Sequence, residues 1–112
     1  MTLQKNPDSR YAINCYNRGN IELKTGDRAA AINDYSRAIS NSPEFAAAYH
    51  NRGTAKAKSG DTKGAIEDYD RAIELDPNLA DAYINRSRAK FELGDRQGAS
   101  ADYYHAININ QH

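Results

Sequence analysis

Between residues 62 and 75 the apolar side chains Ala65, Ile66, Tyr69, Ala72 and Ile73 fall at i, i+1, i+4, i+7 and i+8. That spacing is the one-sided stripe of an amphipathic helix. Pro77 follows and blocks continuation, because it lacks an amide hydrogen and crowds the preceding turn. Upstream, residues 46–59 contain no proline and run into Gly60-Asp61. Glycine can take the left-handed conformation that ends a helix, and an aspartate after it can cap the next one. The pattern predicts helix, tight turn, helix, stop.

The same unit occurs three times. Tyr49 and Tyr83 stand 34 residues apart, and blocks 12–45, 46–79 and 80–112 align at that shift without a gap. Asn17/Asn51/Asn85, Arg18/Arg52/Arg86 and Gly19/Gly53/Ser87 recur down the columns. So do the three Gly-Asp pairs and Asp34/Asp68/Asp102, each aspartate followed by a tyrosine. A fixed period of this length signals a stacked-repeat architecture. Two short helices cannot bury their apolar faces alone, and about three repeats are the usual minimum for a stable array. The expected fold is all-α, an α-solenoid of three stacked antiparallel helix-turn-helix hairpins. Residues 12–112 form its single domain, preceded by an extension at 1–11. Met1 to Asn6 is expected to fray, with Asn6 as an N-cap and the first helix starting near Pro7. Gly19 opposite Ala31, Gly53 opposite Ala65 and Ser87 opposite Ala99 mark the closest helix crossings. Tyr35, Tyr69 and Tyr103 are expected to fill the space beside them.

These columns resemble the tetratricopeptide repeat, whose signature is aromatic, large apolar, Gly, then Ala, aromatic, Ala and Pro. Tyr49, Gly53, Ala65, Tyr69, Ala72 and Pro77 fit it in the middle block, and the likeness spans residues 12–112. Cys15 replaces the first aromatic. Glu22, Lys56 and Lys90 stand where the family usually has tyrosine, and the three arginines stand where it usually has leucine.

Arginines on a nominally buried face need partners, since an unpaired buried charge is costly. An aspartate recurs sixteen residues after each, and a hairpin turning at Gly-Asp sets the two roughly level. Structural ion pairs Arg18–Asp34, Arg52–Asp68 and Arg86–Asp102 are therefore expected.

Composition narrows the function. Fifteen acidic and fifteen basic residues give zero net charge, interleaved along the chain, so there is no electrostatic footprint for nucleic acid. No apolar stretch approaches membrane-spanning length. Cys15 is alone, which makes a reducing cytoplasm the expected location and a small buried hydrophobe its expected role. His50, His105 and His112 are too widely spaced for a local metal pair, and no Gly-rich phosphate loop appears. No enzymatic activity, metal or cofactor is expected.

The resemblance implies a concave groove, lined by the first helix of each repeat, that holds a segment of a peptide or protein partner. The groove positions are Ile13, Tyr16, Asn17, Asn20 and Lys24, then His50, Asn51, Thr54 and Lys58, then Asp81, Ile84, Asn85, Arg88 and Glu92. An asparagine amide both donates and accepts, so the row Asn17, Asn51, Asn85 can pair with a peptide main chain. The same amides can instead bond between neighbouring helices. One variety of the family grips a chaperone's C-terminal carboxylate with lysine, asparagine and arginine. Asn20 and Asn51 match its asparagines, but Tyr16, Asp81 and Asn85 occupy its cationic positions, so that clamp is degraded. Lys24, Lys58 and Arg88 keep positive charge nearby, which suits an acidic peptide. A further expectation comes from the last repeat, where Ser100 replaces Ile32/Ile66 and Gln111 replaces Pro43/Pro77. Without a polar capping helix, Tyr103, Ile107 and Ile109 are expected to be partly exposed, and copies could associate through that end as a self-assembling homo-oligomer.

Overall fold

The computed structural model describes residues 9–111. The expected fraying at Met1–Asn6, the Asn6 cap and the start at Pro7 lie outside them. Six helices follow in order: α1 (Ser9–Thr25), α2 (Arg28–Asn41), α3 (Ala46–Lys58), α4 (Thr62–Leu75), α5 (Ala80–Glu92) and α6 (Arg96–Asn110). They pair as hairpins α1–α2, α3–α4 and α5–α6, which stack through α2 against α3 and α4 against α5. The result is an all-α solenoid measuring 49 × 31 × 20 Å. Helices α1, α3 and α5 touch in succession along one face.

The turns within hairpins are built alike. Gly26, Gly60 and Gly94 hold φ between 89° and 94°, a conformation that a side chain would strain. The next amide closes back on the first helix: Asp27 to the Glu22 carbonyl at 2.8 Å, Asp61 to Lys56 at 2.8 Å, Asp95 to Lys90 at 2.9 Å. Each aspartate then accepts from an amide three residues on, at Ala30, Gly64 and Gly98. One Gly-Asp dipeptide thus ends one helix and starts the next. Pro43 and Pro77 stand just past the ends of α2 and α4. At Gln111, which replaces them, the amide still reaches the Ile107 carbonyl at 3.1 Å.

Alanines, Cys15 and the tyrosines Tyr35, Tyr69 and Tyr83 make the core. Ala12, Cys15, Ala38 and Ala48 cluster at the first joint, with Tyr16, Ile39 and Phe45 packed around them. Ala31 and Tyr35 enclose Ala55 from the next hairpin, and Ala65 and Tyr69 enclose Ala89 in the same way. The close crossings leave no room for a methyl group. A Cβ on Gly19 would lie 2.7 Å from the Tyr35 ring, and one on Gly53 2.8 Å from that of Tyr69.

The third repeat follows the expectation of a partly exposed end rather than that of three tyrosines packed alike. Tyr35 and Tyr69 are buried, whereas Tyr103 is 51% exposed. Ser87 carries the Cβ that Gly19 and Gly53 lack, and its hydroxyl donates to the Ala99 carbonyl at 2.7 Å. A ring placed like those of Tyr35 and Tyr69 would meet that Cβ.

Candidate functional site

Behind the inner face, each hairpin carries a bidentate ion pair. Arg18 donates from Nε and Nη2 to Asp34 at 2.8 Å in both bonds. Arg52 does the same to Asp68 at 2.8 Å, and Arg86 to Asp102 at 2.8 and 2.7 Å. All three aspartates are buried. Each also has a second cation: Arg37 at 2.9 Å from Asp34, Lys56 at 3.2 Å from Asp68 and Lys90 at 3.1 Å from Asp102. The Arg18 guanidinium holds the Asp34 carboxyl well below the usual carboxylate range, despite burial. Burial pushes Asp102 upward, but hydrogen bonds from Arg86 and Lys90 outweigh it and leave it lowered. Arg52 and Arg86 also reach across the joints, donating from Nη1 to Ser36 Oγ at 3.1 Å and to Asp70 Oδ1 at 2.9 Å.

On the groove side, the asparagines hold the stack together. Asn51 donates from Nδ2 to Asn20 Oδ1 at 2.9 Å and lies 3.1 Å from the Tyr16 hydroxyl. Asn20 also accepts from the Tyr35 hydroxyl at 2.6 Å. Burial, with Tyr16 close by, pushes that hydroxyl up to about 12. One joint further on, Asn85 Nδ2 faces His50 Nε2 at 2.9 Å. With the Asn85 amide nitrogen donating, Nε2 accepts, the arrangement of a neutral imidazole. Burial agrees with this, lowering the His50 pKa. Thr54 Oγ1 donates to the His50 carbonyl at 3.2 Å, leaving the Tyr69 hydroxyl to donate to Thr54 at 3.1 Å. Of the two asparagine roles open from sequence, Asn51 and Asn85 therefore have an inter-helix one. Asn17, on the outermost helix, is exposed.

The remaining groove positions divide. Lys24, Lys58 and Arg88 are exposed, and none enters an ion pair among the described residues. Thr54, Lys58, Asn85 and Arg88 converge with Tyr69 and Glu92 on a cavity of about 220 Å³ between the second and third hairpins. Tyr16 lies deeper, its ring 4.8 Å from Phe45 and 6.0 Å from Tyr35. Ile84 is half-buried, and Ile13 and Asp81 are exposed. None of Asn17, Lys24 and Ile84 lines the shared cavity.

Sequence reasoning missed a larger cavity of about 570 Å³ at the C-terminal end, walled by Phe91, Ala99, Ser100, Tyr103 and Tyr104 beside Arg88 and Arg96. The signal lay in two columns. Ser87 interrupts the glycines, and Arg88 stands where Asn20 and Thr54 supply an acceptor for the buried tyrosine hydroxyl. Cys15 is buried. Its thiol lies 3.9 Å from the Arg18 guanidinium, which can donate to it. Among the described residues, no cluster of three or more His, Cys, Asp or Glu side chains could hold a metal ion. None of their helices is long and apolar enough to cross a membrane.

The chain matches the tetratricopeptide repeat family model over residues 16–80 and again over 50–107. No curated protein sequence matches it. Among solved structures, it is similar to the second tetratricopeptide-repeat domain of Spaghetti (RPAP3), bound to the HSP90 peptide SRMEEVD. That likeness has a TM-score of 0.91 at 28% identity, covering 96% of this chain and 99% of that one. The TPR2B domain of yeast Sti1, in complex with pHsp70, gives a TM-score of 0.89 at 30% identity, covering 91% and 82%. MamA gives 0.87 at 27% identity, covering 93% of this chain and 61% of the MamA chain. The chain thus spans less than two thirds of MamA's length. With the repeat model spanning all three hairpins and the ladder of joints described above, this chain belongs to the tetratricopeptide repeat family.

Proposed function

We propose that this chain is a protein-interaction module that takes an acidic peptide segment in its concave groove. The observation that carries this reading is the pair Lys58 and Arg88, exposed on one cavity and free of internal ion pairs. Solvated cations with no internal partner can pair with a ligand's carboxylates without first breaking a contact. Lys24 extends the positive charge along α1. The Asn20 and Asn51 amides are engaged with Tyr16, Tyr35 and each other. They are poorly placed to grip a terminal carboxylate, so acidic side chains rather than the chain end are recognised. The likeness to domains solved with SRMEEVD and pHsp70 supports a peptide ligand of this kind.

Fluorescence anisotropy with labelled SRMEEVD tests it. Arg88→Glu and Lys58→Glu should each weaken binding about tenfold, equivalent to about 1.4 kcal/mol, with unchanged helicity. Replacing both peptide glutamates by glutamine should weaken it similarly, while amidating the C-terminus should change little. Binding insensitive to both charge reversals would remove the groove reading. Loss on amidation alone would favour a terminal-carboxylate grip instead.

A further inference from the structure

Large apolar side chains exposed among the described residues are unevenly placed. Tyr11, Ile13 and Ile21 lie on α1, and Phe91, Leu93, Tyr103 and Tyr104 lie on or beside α5 and α6. The middle hairpin contributes none. Among the described residues, large apolar side chains of the first and last hairpins are therefore exposed in a way that those of the middle hairpin are not.

The internal joints show what such surfaces hold. Ala55 of α3 packs against Ala31 and Tyr35, with Leu23 and Ile32 alongside. One period later, Ala89 of α5 packs against Ala65 and Tyr69, with Ala57 and Ile66 alongside. One period later again, the register names Ala99, Tyr103, Phe91 and Ser100, which are walls of the 570 Å³ cavity. Run backwards from Ala89 and Ala55, it arrives at Ile21, 62% exposed on α1. The two ends differ from the internal joints in opposite senses. The inserting residue is larger, isoleucine for alanine. The receiving slot is an open cavity, where Ser100 replaces isoleucine and Tyr103 is exposed, with Phe91 in place of Leu23 and Ala57 as one wall. The same register sets Arg18 against Tyr104, as Arg52 meets Ser36 and Arg86 meets Asp70 across the internal joints.

We propose that a second copy of this chain docks its α1 on the α5–α6 end, with Ile21 entering the cavity walled by Phe91, Ala99, Ser100 and Tyr103, so that copies continue the solenoid head to tail. Asn14 stands where Ala48 and Ala82 are buried. Desolvating its amide makes this joint weaker than the internal ones, and hence reversible. The two surfaces differ, so the contact is heterologous and does not close on a dimer.

Sedimentation velocity on the full chain, from micromolar to millimolar concentration, tests this. The weight-average mass should rise past twice the monomer. Ile21→Glu and Phe91→Glu, both at exposed sites, should each raise the dissociation constant at least tenfold with helicity unchanged. Ser100→Trp, which fills the cavity from within the chain, should do the same. The decisive sample is an equimolar mixture of Ile21→Glu and Phe91→Glu. One intact tail and one intact head remain, so it should form a 1:1 dimer and stop there. Wild type that stays monomeric at millimolar concentration, variants that associate like wild type, or a mixture that stays monomeric would each overturn the proposal. Ile21 lies outside the groove cavity, so SRMEEVD binding by Ile21→Glu reports on the groove separately.

Discussion

Glu22 is the residue where the repeat pattern is broken at a cost. Its counterparts Lys56 and Lys90 sit about 3 Å from the buried aspartates of their hairpins. In the first hairpin a carboxylate occupies that place, with Oε1 buried and unpartnered, and Arg37 supplies the second cation to Asp34 instead. Burial, followed by the nearness of the Asp34 carboxyl, raises the Glu22 pKa. A group whose folded pKa is raised favours the fold while protonated, and that contribution is lost as pH rises through the folded value. Glu22 therefore weakens the first hairpin at neutral pH. Glu22→Lys should restore the motif of the other two repeats. The expected gain is about 1 kcal/mol at pH 7, the upper end for partly exposed pairs, or roughly 4 °C in Tm. The gain should shrink as pH falls into the range where Glu22 is already protonated. Thermal melts at pH 7 and pH 4 check it, and an unchanged Tm at both would remove the argument. Sequence columns flagged Glu22 as a departure, but not its cost. That depends on the neighbouring carboxylate, which only the hairpin geometry brings close.

At the scale of elements, the helices and their turns were legible from the chain alone. Gly-Asp and Pro recur with fixed spacing, and their effects on backbone are local. The partial exposure of Tyr103 was legible from the softened last repeat, but not the part that side chains on another helix play in it. Three conditions bury the equivalent tyrosines: an alanine of the next hairpin packed on the ring, a glycine facing it, and an acceptor for the hydroxyl at Asn20 or Thr54. The third hairpin has Ser87 and Arg88 in place of the last two. An inward Tyr103 would meet a Cβ and bury its hydroxyl without a partner, at about 1–3 kcal/mol for the latter alone. Ser87→Gly with Arg88→Thr should therefore turn Tyr103 inward and close the terminal cavity. Nuclear Overhauser contacts between the Tyr103 ring and residue 87 should appear in the double variant. Reactivity of Tyr103 toward tetranitromethane should fall. A ring still fully reactive would show that something else holds it out.

Across the whole molecule, the zero net charge hides a division of labour. The arginines that recur in register are committed to buried aspartates, and Asn51 and Asn85 to the joints between hairpins. The cations left exposed on the inner face are Lys24, Lys58 and Arg88. From sequence, the asparagine row fitted a ligand main chain as well as it fitted neighbouring helices, since an amide serves both. Only its hydrogen bonds separate the two. Under the proposed function, ligand is expected to bind between the second and third hairpins, where Thr54, Lys58, Asn85 and Arg88 share a cavity. Titration of the isotopically labelled chain with SRMEEVD, followed by amide chemical shifts, tests this most directly. The account predicts the largest shifts at Thr54, Lys58, Asn85 and Arg88, with little change on α2 and α4. Shifts centred on those outer helices, or on Asn20 and Asn51 with Arg88 unmoved, would contradict it.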